Sequence, residues 1–235
     1  MTFEELKAMD DTYVMHTFAR FLVDIDHGQG ATLYSLARKE YIDFTSGIGV
    51  NSLGYGDPTW ISAITQQIQK LGHISNLYYT QPGPKLAKEL CTRTGMDKVF
   101  FGNSGAEANE AMIKLARKYS FDKYGKGRST IITLNHSFHG RTMATITATG
   151  QPHYHTYFFP FVEDFRYADP TLESIQAQGG DDVCAVMLEL IQGEGGVMAL
   201  DPEYVQAVRA LCDEKDLVLI VDEVQTGVGR TGTFL

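Results

Sequence analysis

Asp222 and Glu223 follow directly on the apolar run Leu217-Val218-Leu219-Ile220-Val221. Three of those five residues are β-branched, so the run predicts a strand buried on both faces of a parallel sheet. A carboxylate where such a strand emerges is costly unless paired, and that edge is where open α/β sheets put their ligands. One plain alternative has Asp222 capping a turn with Glu223 in water. Another is the acidic, magnesium-holding strand of a nucleotide hydrolase. The phosphate-loop pattern GxxxxGK[ST] occurs nowhere in the chain, which removes most of the second.

Three more segments bring chemistry to a strand end. Gly102-Asn103-Ser104-Gly105-Ala106 joins a predicted strand to a helix, where main-chain amides reached through small residues can hold a phosphate dianion without any lysine. His136-Ser137-Phe138-His139-Gly140-Arg141-Thr142 follows another strand. Its Arg141 is a planar fork suited to a carboxylate, and Phe138 is a flat face on which an aromatic ring can stack. Glu189 ends a third strand, and Gln192-Gly193-Glu194-Gly195-Gly196 continues it. His136, His139, His153 and His155 match no zinc spacing, so they are read as solvated loop histidines and no metal is expected. A phosphate cradle, an aromatic with an arginine, two glutamates and an aspartate fit a phosphorylated aromatic cofactor. An aspartate beside a ring nitrogen keeps it protonated and makes the ring an electron sink, so pyridoxal 5'-phosphate is the cofactor these residues suit.

The elements that position these groups follow from pattern. Thr2 and Glu5 form a capping box for an opening helix. Residues 21 to 45 predict antiparallel strands at 21–25, 32–34 and 41–44, with a turn at Gly28-Gln29-Gly30. Helices follow from Asp57-Pro58, carrying Trp60, Ile61, Ile64, Ile68 and Leu71, and from Pro84 to Gly95. Thereafter strand and helix alternate. Strands are predicted at 99–101, 130–134, 183–190 and 217–221, and helices at 106–119 and from Pro202. The first of these helices is expected to bury Ala108, Ala111, Met112, Leu115 and Tyr119, with Glu110 and Lys114 as an exposed pair. Residues 150 to 180 read as a long excursion. The pattern predicts an α/β fold with a mainly parallel sheet and helices on both faces.

Bulk properties limit the function classes. The 235 residues carry a formal charge of -9 with no basic block, which argues against a nucleic-acid partner. Cys91, Cys184 and Cys212 stand far apart, without the spacing of a disulfide framework or thiolate zinc site. No signal peptide and no membrane-length apolar run is seen, so a cytoplasmic location is expected.

In this order the segments resemble the class III aminotransferases, in particular the acetylornithine type and its ornithine relatives. The resemblance runs through Tyr13-Val14-Met15, residues 43–51, Ser75 to Tyr79, Phe101 to Glu110, Phe138 to Thr142, Gln192-Gly193-Glu194, and Asp222 to Gly232. It implies a pyridoxal-phosphate-dependent transferase fold of type I. Residues 1–55 would belong to a small-domain segment and 56–235 to the large cofactor-binding domain. It further implies that Ser104, Gly105 and Ala106 grip the phosphate, that Phe138 stacks on the ring and that Asp222 pairs with the ring nitrogen. Glu223, Val224 and Gln225 would line the cofactor, Gln225 near the ring hydroxyl. Arg141 would take a substrate carboxylate, and Glu194 would help the site accept alternate substrates. The substrates implied are small amino acids and 2-oxo acids, in a homodimer whose Asn76 and Tyr78 face the partner's cofactor.

The chain departs from the family at Leu36-Ala37-Arg38-Lys39, at Leu53-Gly54-Tyr55-Gly56-Asp57 and at Leu190. The family's cofactor-binding lysine is expected tens of residues beyond the Asp222 strand, and none of the eleven lysines here stands in that place. The expectation is therefore a fragment, inactive by itself, rather than a half-length binding module.

Overall fold

The computed structural model describes residues 1–235, in two compact units, Met1–Thr80 and Gln81–Leu235. The boundary expected at residues 55/56 falls inside the first.

The first unit opens with α1 (Phe3–Tyr13). The Thr2 hydroxyl accepts from Glu5 N, and the Glu5 carboxylate accepts from Thr2 N at 2.9 Å, which completes the predicted capping box. Three short antiparallel strands follow in the order β1 (His27–Gln29), β2 (Thr32–Tyr34) and β3 (Glu40–Ile42). Residues 21–25, expected as a strand, form none, and Gly28 and Gln29 lie in β1 rather than in a turn. The chain reverses at Gly30, whose φ of +58° suits glycine. α2 (Pro58–Lys70) starts at Asp57, whose carboxylate accepts from Trp60 N at 2.7 Å, but none of its residues is buried within the structure.

The second unit begins with α3 (Pro82–Thr94), ended by Gly95 in the left-handed region. Val99 to Phe101 are not a strand: no neighbouring strand takes their backbone groups, and Phe100 and Phe101 are exposed. α4 (Gly105–Tyr124), β4 (Thr130–Leu134) and the short α5 (Met143–Ala148) follow. The expected excursion contains a 3₁₀ turn at Pro152–His155, β5 (Phe165–Ala168) and α6 (Leu172–Gln178). Next come β6 (Val183–Leu188), the two-residue strands β7 (Ile191–Gln192) and β8 (Met198–Ala199), α7 (Pro202–Lys215) and β9 (Val218–Val221). No helix is long and apolar enough to cross a membrane.

β5, β4, β6 and β9 form one wholly parallel sheet in that order. Side chains alternate along each strand, so β4 and β6 feed two cores. Ile132, Leu134, Val186 and Leu188 pack with Ile175 of α6 and with Val208 and Cys212 of α7. Ile131, Ala185 and Met187 pack with Ile113 and Ala116 of α4 and Ala148 of α5. Every residue of β6 is buried, the pattern of a central parallel strand. Within residues 1–235, β9 pairs with β6, and Ile220 is buried while Val221 is 39% exposed.

The buried face of α4 also differs from expectation. Asn109, Ile113, Ala116 and Ser120 point inward, whereas Leu115 and Tyr119 are exposed. A polar residue, Asn109, was therefore missed on the core side. Glu110 is not simply one half of an exposed pair, because its carboxylate accepts from the Thr142 hydroxyl at 2.6 Å.

After β4 the chain returns so closely that Gly150 pairs with Asn135, and His136 N donates to Gly150 O at 2.8 Å. A Cβ at Gly150 would lie 2.0 Å from the Leu134 carbonyl oxygen, a backbone atom with no room to retreat. Gly150→Ala is expected to cost about 1–3 kcal/mol by forcing these segments apart. Urea unfolding should show a lowered midpoint, and an unchanged one would contradict this account of the crossing.

Candidate active site

The carboxyl ends of β4, β6 and β9 and the start of α4 deliver their loops to one place. Asp222 follows β9 and is 6% exposed. Its Oδ2 accepts from Asn109 Nδ2 at 2.7 Å and lies 2.8 Å from His139 Nδ1. Its Oδ1 accepts from Val224 N at 3.0 Å. Burial pushes the Asp222 pKa up, but the His139 hydrogen bond and charge, the Val224 amide and Asn109 outweigh it, and the net shift is downward. The carboxylate is ionised, so it only accepts, and His139 Nδ1 is the donor. The turn-capping reading of Asp222 is thus met through Oδ1, while Oδ2 takes partners from two other elements.

His139 is the clearest miss of the sequence reading. Expected to be solvated, it is 2% exposed, and its Nε2 is buried without a partner. Its backbone is fixed as firmly: His139 N donates to Thr149 Oγ1 at 2.9 Å, and His139 O accepts from Asn109 Nδ2 at 2.8 Å. A histidine five residues after an apolar strand end, facing an aspartate 83 residues on, carries no local pattern that could have announced it.

The loop holding Phe138 is tied to the next strand. Phe138 N donates to Glu189 Oε2 at 2.9 Å. Desolvation raises the Glu189 pKa, only partly offset by that amide and by the charge of His139. Asp222 and Glu189 are thus two buried carboxyl groups driven in opposite directions. Glu223 is half-buried, and its pKa is raised by desolvation alone.

Ser104 caps α4, its Oγ accepting from Glu107 N at 3.2 Å. The amides of Gly105 and Ala106 precede the first intrahelical bond, from Ala108 N to Ser104 O, and so stay available to an anion. A Cβ at Gly105 would come within 2.6 Å of the Val224 side chain. One at Gly140, whose φ is +129°, would come within 2.9 Å of Ala106 Cβ. The Ser104 turn, the Phe138 loop and the Asp222 loop therefore touch. Gln225 approaches Gly193, where a Cβ would lie 3.3 Å from its Cγ.

Arg141 and Glu194 lie at the rim. The Arg141 Cζ is 5.9 Å from the centroids of both Phe138 and Tyr154. Glu194 accepts from the Tyr154 hydroxyl at 2.8 Å and from Gln151 Nε2. Asn76 and Tyr78 are exposed on the first unit. Tyr154 and Gln151 were not singled out in the sequence, because they sit in the stretch read as an excursion.

These groups suit pyridoxal phosphate. Asp222 uses three of its roughly four acceptor positions, leaving one on Oδ1 for a ring N–H. The α4 amides provide an anion cradle walled by glycines.

Known proteins agree. The family model for class III aminotransferases matches residues 13–235, so the chain belongs to that family, which depends on pyridoxal phosphate. An acetylornithine aminotransferase of Haemophilus ducreyi is 52% identical over 236 residues, covering all of this chain and 60% of that protein. One from Caldanaerobacter subterraneus subsp. tengcongensis is 49% identical, covering 94% and 56%. Among solved structures, an ornithine aminotransferase from Toxoplasma gondii ME49 superposes with TM-score 0.94 at 31% identity, covering all of this chain and 56% of that one. The N-acetylornithine aminotransferase of Stenotrophomonas maltophilia K279a gives 0.78 at 38%, covering 97% and 56%. The chain thus spans somewhat over half the length of the relatives it matches.

The raised Glu189 pKa has a stability consequence. Folding favours its protonated form, so the penalty is absent below the ordinary glutamate pKa and grows as pH rises through the raised value. Glu189→Gln keeps an acceptor for Phe138 N and removes the charge. Relative to the wild type, it should gain stability as pH is raised from 4 to 7 in thermal unfolding. A constant difference across that range would contradict the reading.

Proposed function

We propose that the protein carrying this chain transfers an amino group from N-acetylornithine, or a similar ω-amine, to 2-oxoglutarate, as arginine biosynthesis requires. The observation that carries this is the meeting of an ionised, buried Asp222 with the free amides of the Ser104 turn. Identities of 43–52% to acetylornithine aminotransferases direct the choice of donor.

Pyridoxal phosphate, when bound, supplies an electron sink for the carbanion that amino transfer generates. Asp222 holds a proton on the ring nitrogen, and His139 and Asn109 hold Asp222. Ser104, Gly105 and Ala106 fix the phosphate through main-chain amides and a hydroxyl. Phe138 covers one ring face, while Glu223, Val224 and Gln225 border the ring. Arg141 orients the substrate by its carboxylate, and Glu194 adjusts the site to the second substrate. Residues 1–55 are read as small domain and 56–235 as the large domain.

The exposed apolar side chains of Leu115 on α4, 58% exposed, and of Phe100 before it, 61% exposed, support a homodimer in which Asn76 and Tyr78 face the partner's cofactor. A cytoplasmic setting suits these small, charged substrates. None of the lysines at 1–235 is read as the cofactor's covalent partner, so this stretch is read as inactive by itself.

The higher TM-score to an ornithine aminotransferase favours ornithine as a second donor. Identity outweighs it here, because a shared fold does not choose among substrates. Steady-state kinetics of the intact protein on N-acetylornithine, ornithine and 4-aminobutyrate, with 2-oxoglutarate as acceptor, tests the assignment. N-acetylornithine should give the highest kcat/KM, and Arg141→Ala should lower it about 10- to 100-fold. A preference for another amine would overturn the donor, and an unchanged Arg141→Ala its role.

A further inference from the structure

A cavity lies at the opposite edge of the parallel sheet, where α4, α6 and α7 end and β4, β6 and β9 begin. It encloses about 690 Å³ and opens to solvent. Volumes of this order hold small molecules. Ile132, Ile175, Val183, Leu211 and Leu217 form an apolar wall suited to a hydrocarbon or aromatic side chain.

Arg128 also lines the cavity, and the fold fixes its conformation. Its Nε donates to Val183 O at 2.7 Å, and its Nη2 donates to Lys215 O at 2.7 Å and to Asp216 O at 2.9 Å. Its Cζ stands 4.2 Å from the centroid of the Tyr124 ring. The Tyr124 hydroxyl in turn donates to the Asp216 carboxylate, which Lys123 Nζ meets at 2.6 Å. None of these contacts uses Arg128 Nη1, which keeps two N–H donors for an acceptor from outside the chain. A side chain already ordered gives up little entropy on binding, so this donor pair is pre-organised. Among the other charged groups of the cavity, Glu214 and Lys215 pair with each other at 2.9 Å. The Asp181 carboxylate takes part in no ion pair or hydrogen bond. One cationic donor and one carboxylate thus stand unanswered beside an apolar wall.

We infer that this cavity is a second binding site, which takes a zwitterionic α-amino acid with an apolar side chain. The apolar wall receives the side chain, Arg128 Nη1 the carboxylate and Asp181 the ammonium group. A plain carboxylate would leave Asp181 unanswered, and a plain amine would leave Arg128 so. The cavity lies at the far edge of the sheet from Asp222, and the inference does not depend on the amino-transfer reading.

The test titrates the intact holoenzyme, labelled with ¹³C in its isoleucine methyl groups, with L-phenylalanine, whose ring current shifts nearby methyl signals. The Ile132 and Ile175 signals should move saturably, with a Kd of about 1 mM. 3-Phenylpropionate lacks the ammonium group and 2-phenylethylamine the carboxylate, and each should bind about tenfold more weakly. Asp181 is exposed and unpaired, so Asp181→Asn should fold normally, weaken phenylalanine about tenfold and leave 3-phenylpropionate unchanged. Arg128→Lys, which keeps the charge and loses Nη1, should weaken both ligands. Isoleucine signals that stay still up to about 20 mM phenylalanine would overturn the proposal. So would either analogue binding as tightly as phenylalanine, Asp181→Asn leaving its affinity unchanged, or Arg128→Lys weakening neither ligand. Cofactor absorbance that follows the same saturation curve would place phenylalanine in the active site and overturn it too.

Discussion

A buried aspartate that stays ionised is expensive, and the second unit is organised around meeting that cost. Burial alone would drive Asp222 toward its neutral form. Three groups from separate parts of the chain reverse this: His139 after β4, Asn109 on the inward face of α4, and the Val224 amide two residues on. Each requires its element to be packed in register. The all-parallel order β5-β4-β6-β9 brings the β4 and β9 loops out at the same edge, and α4 starts beside them. Asn109 binds both His139 O and Asp222 Oδ2, so one side chain clamps two loops.

The same edge carries an opposite device. Glu189, at the end of β6, is pushed toward its neutral form while it holds the Phe138 amide. Neighbouring carboxyl groups are thus driven to divergent proton affinities, Asp222 downward and Glu189 upward. Close glycine contacts bring the loops together: Gly105 against Val224, Gly140 against Ala106 and Gly193 against Gln225. A methyl group at Gly105 would force the Ser104 turn away from Val224, and one at Gly140 would crowd Thr145 and Ala106.

The sequence made strand ends and helix starts legible where local chemistry decides them. The capping box at Thr2, the Asp57-Pro58 start and the apolar β4 and β6 runs all encode their own conformation. Elements defined by distant partners were less readable. Val99 to Phe101 has strand composition but takes no strand pairing within residues 1–235. The inward face of α4 is set by Asn109, a polar residue whose reason for burial is Asp222, 113 residues away. His139 and Tyr154 escaped for the same cause, since their partners lie in other loops and hydrophobic periodicity says nothing of them.

The central claim is electrostatic: an ionised Asp222, supported from behind by His139, holds a proton on a bound pyridine ring. Nitrogen-15 NMR of the intact protein loaded with ring-¹⁵N pyridoxal phosphate reads that proton directly. The account predicts a protonated-nitrogen shift at neutral pH that moves to the unprotonated position in Asp222→Asn. An unprotonated nitrogen in the wild type, or the same shift in both proteins, would contradict it.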